Sequence, residues 1–161
     1  MSHARFADIL RALAANDVEF IVVGMTAGIL QGAPVTTFDL DIVHRRTPAN
    51  VGRLLQVLGA LEATYRHDPR RLRPQESHLV SPGHQLLTTT HGDLDCLGAI
   101  AGDEGYDELL SRTVTMALAG GLTVRVLGLP ALIEAKERAG RPKDLAALPL
   151  LRATLEEQQK R

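Results

Sequence analysis

Apolar residues recur at helical spacing near the start of the chain. Phe6, Ile9, Leu10 and Leu13 share one face, which predicts an amphipathic helix over 4–16, ended by Asn16-Asp17. Residues 18–23 form a β-rich run closed by Gly24, the pattern of a buried strand. A short helix is predicted over 25–31 with Gly32 behind it, Ala33-Pro34 breaks the chain, and 38–43 alternates as a second strand. Thr47 and Pro48 suit an N-cap and a first helical position, and the helix they open carries Val51, Leu54, Leu55 and Leu58 inward to about Leu61. Residues 66–74, interrupted by Pro69 and Pro74, read as a loop or irregular edge. Strands over 85–90 and 94–97 follow, joined by a His91-Gly92-Asp93 turn, then a short helix at 106–110. Strands at 114–118 and 122–127 flank Gly120-Gly121 as a hairpin. Pro130 opens a helix that Gly140 stops, and Pro142 opens the last helix, to about Gln158. The order predicts an α/β or α+β class: a mixed β-sheet with flanking helices and two C-terminal helices.

Composition narrows the classes of function. The 161 residues suit one domain, 1–161, and no repeat or low-complexity linker divides them. A formal net charge of −1 argues against a globally basic nucleic-acid binder. Two Tyr, three Phe and no Trp leave too few rings for a base-stacking surface. The single cysteine, Cys96, excludes an internal disulfide and a multi-cysteine zinc site. The first residues do not read as a signal peptide, and no apolar run approaches the ~20 residues of a membrane span. The expectation is a cytoplasmic protein with no membrane partner. Fifteen of the 18 basic residues are Arg, so the pair Lys136 and Lys143 stands out.

The strongest chemical signal is Asp39-Leu40-Asp41 inside an apolar strand. Residues i and i+2 of a strand share a face, so both carboxylates project together and repel unless a cation neutralises them. Such hard oxygen donors suit Mg²⁺, and two ions can hold a nucleophile and a leaving group in line. Alternatively, one Asp faces solvent and the other caps a turn. A second pair, Asp93 and Asp95, opens a later strand. Asp95 can join Asp39 and Asp41 as a third ligand if the strands are neighbours, whereas Asp93 reads as a turn residue. Gly24, where a strand becomes a helix, leaves backbone N–H groups free to meet an anion, and Thr26 adds a hydroxyl. Arg66, Arg70, Arg71 and Arg73 crowd a loop that suits either solvent or a polyanionic acceptor. His44, His78, His84 and His91 lack metal-finger spacing, and His44 has the opposite strand parity from Asp41. Cys96 alternates away from Asp95 as a small buried residue.

Together, Gly24-Met25-Thr26, Thr37-Phe38-Asp39-Leu40-Asp41 and the later Asp95 resemble the polymerase-beta-like nucleotidyltransferase superfamily. The tail, 129–136 followed by 139–145, resembles its small bacterial branch related to abortive-infection (AbiEii-type) nucleotidyltransferase toxins. The resemblance spans roughly residues 18–150. It implies a nucleotidyltransferase fold and two Mg²⁺ ions, with Mn²⁺ as a substitute, on Asp39, Asp41 and Asp95. It further implies nucleotide contacts at Gly24, Met25, Thr26 and Thr37, and activation of an acceptor hydroxyl by Asp95. Lys136, of catalytic importance, and Asp144 would lie near the nucleotide. Arg141 and Lys143, at the start of the last helix, are either phosphate-binding or solvated helix-end charges. Two departures concern the nucleotide end: Met25 stands where the superfamily carries Gly or Ser, and Val35, Thr36 and Thr37 stand where many relatives carry an Arg.

The resulting expectation is Mg²⁺-dependent transfer of a nucleoside monophosphate from an NTP to an acceptor hydroxyl on RNA, a protein or a small molecule. A homodimer or partner protein would complete so small a chain. The alternative is a catalytically degenerate module of the same fold that binds a nucleotide or a partner protein, as in a toxin–antitoxin system.

Overall fold

The structure, a computed structural model, describes residues 3–161. Its elements are α1 (His3–Ala15), β1 (Phe20–Val23), α2 (Gly24–Leu30), β2 (Asp39–His44), α3 (Pro48–Ala60), β3 (Thr64–Tyr65) and α4 (Glu76–Leu79). Next come β4 (His84–Thr89), β5 (Gly92–Leu97), α5 (Tyr106–Leu109), β6 (Thr113–Ala117), β7 (Thr123–Leu127), α6 (Leu129–Ala139) and α7 (Pro142–Gln159). The seven strands form one mixed sheet in the order β3-β4-β5-β2-β1-β7-β6. β2 runs parallel to β5 and β1 parallel to β7, and the other neighbours are antiparallel.

Local signals end the elements where the chain chemistry dictates. The Thr47 hydroxyl accepts from the Asn50 N–H at 3.4 Å, and Pro48 occupies the first turn of α3, where its missing N–H costs nothing. Gly140 closes α6 at φ +64, a left-handed conformation that a side chain would strain. Asn50 is fully buried and ties three chain segments together. Its amide group accepts from Glu19 N at 2.7 Å and donates to Glu19 O at 2.9 Å and Arg45 O at 2.8 Å. The entry to β1 and the exit of β2 are thereby pinned to α3.

Period-two alternation divides the central strands. Leu40, Ile42, Leu94 and Cys96 are fully buried on one face, while the aspartates of β2 and β5 occupy the other. β1 buries all four of its residues, and α2 packs against it, β2 and β7 while touching α6. Burying this apolar set is the main favourable term for the fold.

Three boundaries differ from the pattern. β3 and α4 lie at the margins of the segment read as a loop; with two and four residues they are too short to show a period. β5 begins at Gly92, so Asp93 is a strand residue and not a turn residue. The turn moved because β5 pairs with β4 back to the Thr89–Gly92 rung.

Candidate functional site

The register of β2 against β5 decides the site. Asp39 is the Cα partner of Asp93, and Asp41 of Asp95. Laterally paired residues point to the same side of a sheet, so four carboxylates share one face. The two aspartate pairs of the sequence are therefore adjacent, and Asp93 joins the three carboxylates expected.

β1 brings Gly24 to the same place, because Val23 pairs with Asp41. Gly24 has φ +66, and a Cβ built there would collide with Asp41 Oδ2. Only glycine fits both the conformation and the approach. Thr26 is buried, and its hydroxyl donates to Asp39 O at 3.2 Å, fixing the strand end that carries the aspartates. Thr37 makes long contacts of 3.5 Å with Asp39 N and O. Met25 packs against the core and does not line the cavity beside Gly24.

That cavity has a volume of about 640 Å³, and Gly24, Asp41, His84, Lys136, Arg141 and Asp144 are among its lining residues. On its far wall the fully buried Asp144 holds two cations. Lys136 Nζ lies 3.3 Å from Asp144 Oδ1, and Arg141 Nε donates to Oδ2 at 2.6 Å. Asp144 also accepts from Arg141 N at 3.2 Å, closing the first turn of α7. Its carboxyl is held below the ordinary carboxylate range, first by the Arg141 hydrogen bond and against the cost of burial, with Lys136 assisting. Lys143 is exposed and lies off the cavity. A larger cavity, about 760 Å³, opens at the sheet edge beside Thr64, Arg71, Arg73 and Thr88, but none of the four aspartates lines it.

The electrostatics of the aspartate face are unbalanced. Asp41 is pushed up to about 7, first by burial, then by the Asp95 charge and a hydrogen bond with Asp95, then by Asp39; Lys136 opposes this. Asp41 Oδ1 is buried without a hydrogen-bond partner. Asp95 has found a cation, since Arg66 Nη2 donates to its Oδ1 at 2.8 Å. Arg66 Nε also lies 3.8 Å from Asp93 Oδ2. Arg66 stands in the turn after β3, at the start of the segment read as a loop, but its side chain belongs to the aspartate cluster instead of facing solvent or an acceptor. Arg70 pairs with Asp68 at 3.0 Å, while Arg71 and Arg73 line the edge cavity. No sequence spacing links Arg66 to Asp95; their meeting depends on β3 pairing with β4 and β4 with β5.

Among the described residues, no three His, Cys, Asp or Glu side chains converge as a closed cage for a metal ion. The donor set nevertheless has the chemistry of a divalent-cation site: hard carboxylate oxygens, one of them an orphan, on one face of a rigid sheet. His44 is buried elsewhere, its Nε2 2.7 Å from Leu79 O, and Cys96 is buried on the opposite face of the sheet.

No protein-family model matches the chain, and no curated protein matches it significantly. Solved structures do. A Thermotoga maritima protein described as a nucleotidyltransferase is 18% identical with a TM-score of 0.60, covering 98% of this chain and 96% of its own. The lincosamide antibiotic adenylyltransferase LnuA, bound to lincomycin, is 14% identical with a TM-score of 0.61, covering 96% and 98%. ANT(2'')-Ia in complex with adenylyl-2''-tobramycin is 17% identical with a TM-score of 0.62, covering 98% and 92%. No described helix is long and apolar enough to cross a membrane. At these identities the likeness is one of architecture: the chain has the nucleotidyltransferase fold.

Proposed function

We propose that the protein transfers a nucleoside monophosphate from an NTP to an acceptor hydroxyl, with release of pyrophosphate. The observation that carries this reading is the register pairing Asp39 with Asp93 and Asp41 with Asp95, directly beside Gly24. Asp39, Asp41 and Asp95 would hold the divalent ions, two Mg²⁺ or Mn²⁺, which supply charge neutralisation at the reacting phosphate and polarise the acceptor. Lys136 and Arg141, held by Asp144 on the cavity wall, bind and orient the triphosphate oxygens. The Gly24 turn, followed by Met25, gives the phosphates access to backbone N–H groups. Thr26 and Thr37 act through the Asp39 backbone, keeping its side chain in place. Lys143 remains a peripheral charge. Asp95 accepts the acceptor hydroxyl proton, and catalysis is mainly positioning and electrostatics.

The solved relatives that act on lincosamides and on tobramycin make ATP and small hydroxylated molecules the first donor and acceptors to screen. RNA and protein hydroxyls come next, and kinship with the abortive-infection branch is tested by growth arrest on expression that Asp39→Ala abolishes. The Arg66–Asp95 pair favours a second reading, a degenerate module whose cation position is filled by its own arginine.

Thermal-shift titration with the four NTPs, with and without Mg²⁺, separates the two. A Mg²⁺-dependent rise in melting temperature, lost in Asp41→Asn, is the expected result. The absence of a shift with any NTP overturns the transferase reading and directs attention to a protein partner.

A further inference from the structure

Arg66 stands in the turn directly after the edge strand β3, yet its side chain is only 14% exposed. Nη1 donates to Leu87 O at 2.7 Å and Nη2 to Asp95 Oδ1 at 2.8 Å, with Nε 3.8 Å from Asp93 Oδ2. Among the described residues it is the only cation paired with any of the four aspartates, because Lys136 is committed to Asp144. The contact with Asp95 is single rather than a two-pronged fork, and the second oxygen of Asp95 makes no hydrogen bond to it.

We propose that Arg66 is an internal counter-ion on Asp95 that a divalent cation displaces when it binds the aspartate face. This rests on the transferase reading. A guanidinium and a divalent ion on one buried carboxylate repel strongly, because little water screens two cations held a few ångströms apart. Both cannot remain in direct contact with Asp95 Oδ1. The arginine is the partner built to leave. The two-residue β3 holds it on one side, and the exposed loop through Arg70, Arg71 and Arg73 follows on the other. His67, the next residue, has φ +66, so the chain turns sharply after Arg66. The pair offsets charge on Asp95 and Asp93. Arg66 is therefore a positioning residue: it sets cation affinity through Asp95.

The test is binding of Mn²⁺ alone, followed by loss of the free-ion electron paramagnetic resonance signal, in wild type, Arg66→Lys and Arg66→Gln. Arg66→Gln is expected to bind Mn²⁺ roughly tenfold more tightly than wild type, with Arg66→Lys in between. Equal or weaker binding by Arg66→Gln overturns the proposal and makes Arg66 a structural support for Asp95. Should Arg66→Gln fail to fold, the wild-type protein decides. In a Mg²⁺ titration of ¹⁵N-labelled protein, the Arg66 side-chain signal, assigned by its loss in Arg66→Lys, is expected to move to the free-arginine position as the Gly24 and Asp41 amides shift. Amide shifts with an unmoved Arg66 overturn displacement and leave the transferase reading standing. No amide shift and no Mn²⁺ binding remove both.

Discussion

Asp41 Oδ2 occupies the space that a side chain on Gly24 would need. The residue that turns the chain after β1 and the residue that carries the second carboxylate of β2 are therefore coupled directly. Gly24→Ala meets two penalties, a left-handed φ of +66 and the collision with the carboxylate. The backbone term alone costs about 1–2 kcal/mol. In urea denaturation, Gly24→Ala is expected to lose more than that. Adding Asp41→Ala should relieve the collision with the carboxylate but not the whole steric part, because the Asp41 Cβ, which alanine keeps, lies 3.2 Å from the built Cβ, and the backbone cost remains. Simple additivity of the two variants would show that the contact is relieved by local movement.

The pH dependence of stability should carry the signature of Asp41. Its folded value is about 7 against an ordinary 3.8. Between those limits the folded protein holds a proton that the unfolded chain has released. Stability therefore falls as pH rises from about 4 to about 7 and levels off above, where the full cost of the charged form is present. Asp41→Asn should remove this slope from its own profile, so that the wild-type-minus-mutant difference falls across that window and levels off above it. A bound divalent cation, which prefers the carboxylate, should stabilise wild type more at pH 8 than at pH 6. Denaturant midpoints along a pH series, with and without Mg²⁺, give both results.

Asp144 and its two cations should not be equivalent. Asp144 is buried, while the Arg141 side chain is 61% exposed. Asp144→Ala strands Lys136 at the cavity wall and removes a helix-start acceptor, for a loss of about 2–3 kcal/mol. Arg141→Ala should cost less than about 1 kcal/mol, as expected of a solvated pair. The contrast appears in melting temperature. Under the proposed function both variants should also weaken Mg²⁺-dependent NTP stabilisation.

Asn50 provides the structural control. Its side chain is fully buried and makes three hydrogen bonds that hold β1, β2 and α3 together. Asn50→Ala leaves those backbone groups unpaired and should cost about 2–3 kcal/mol. The variant is expected to keep wild-type affinity for Mn²⁺, measured well below its lowered melting point. Lost affinity in the folded variant would place Asn50 within the site's support.

Much of the architecture was legible along the chain because its signals are local. Helical spacing of Phe6, Ile9, Leu10 and Leu13, the Thr47-Pro48 start of α3 and the Gly140 stop of α6 each depend on a few neighbouring residues, and each element stands where they put it. Strand parity likewise put Asp39 and Asp41 on one face, with Cys96 opposite Asp95. Elements too short to carry a period, β3 and α4, left no such trace.

What the order of residues could not contain was the lateral neighbourhood of the strands. Whether Asp95 stands beside Asp41 depends on β5 entering the sheet parallel to β2, across more than fifty residues of intervening chain. The same pairing turned Asp93 from a turn residue into a strand residue. Arg66 shows the limit most clearly. As one of four arginines in a polar segment it reads as a surface charge, and only β3 pairing with β4, and β4 with β5, carries it to Asp95. Local sequence determined the elements and the faces of their side chains, because those follow from backbone geometry over a few residues. Tertiary structure decided which charges meet, because strand register is set by burying the whole apolar face at once.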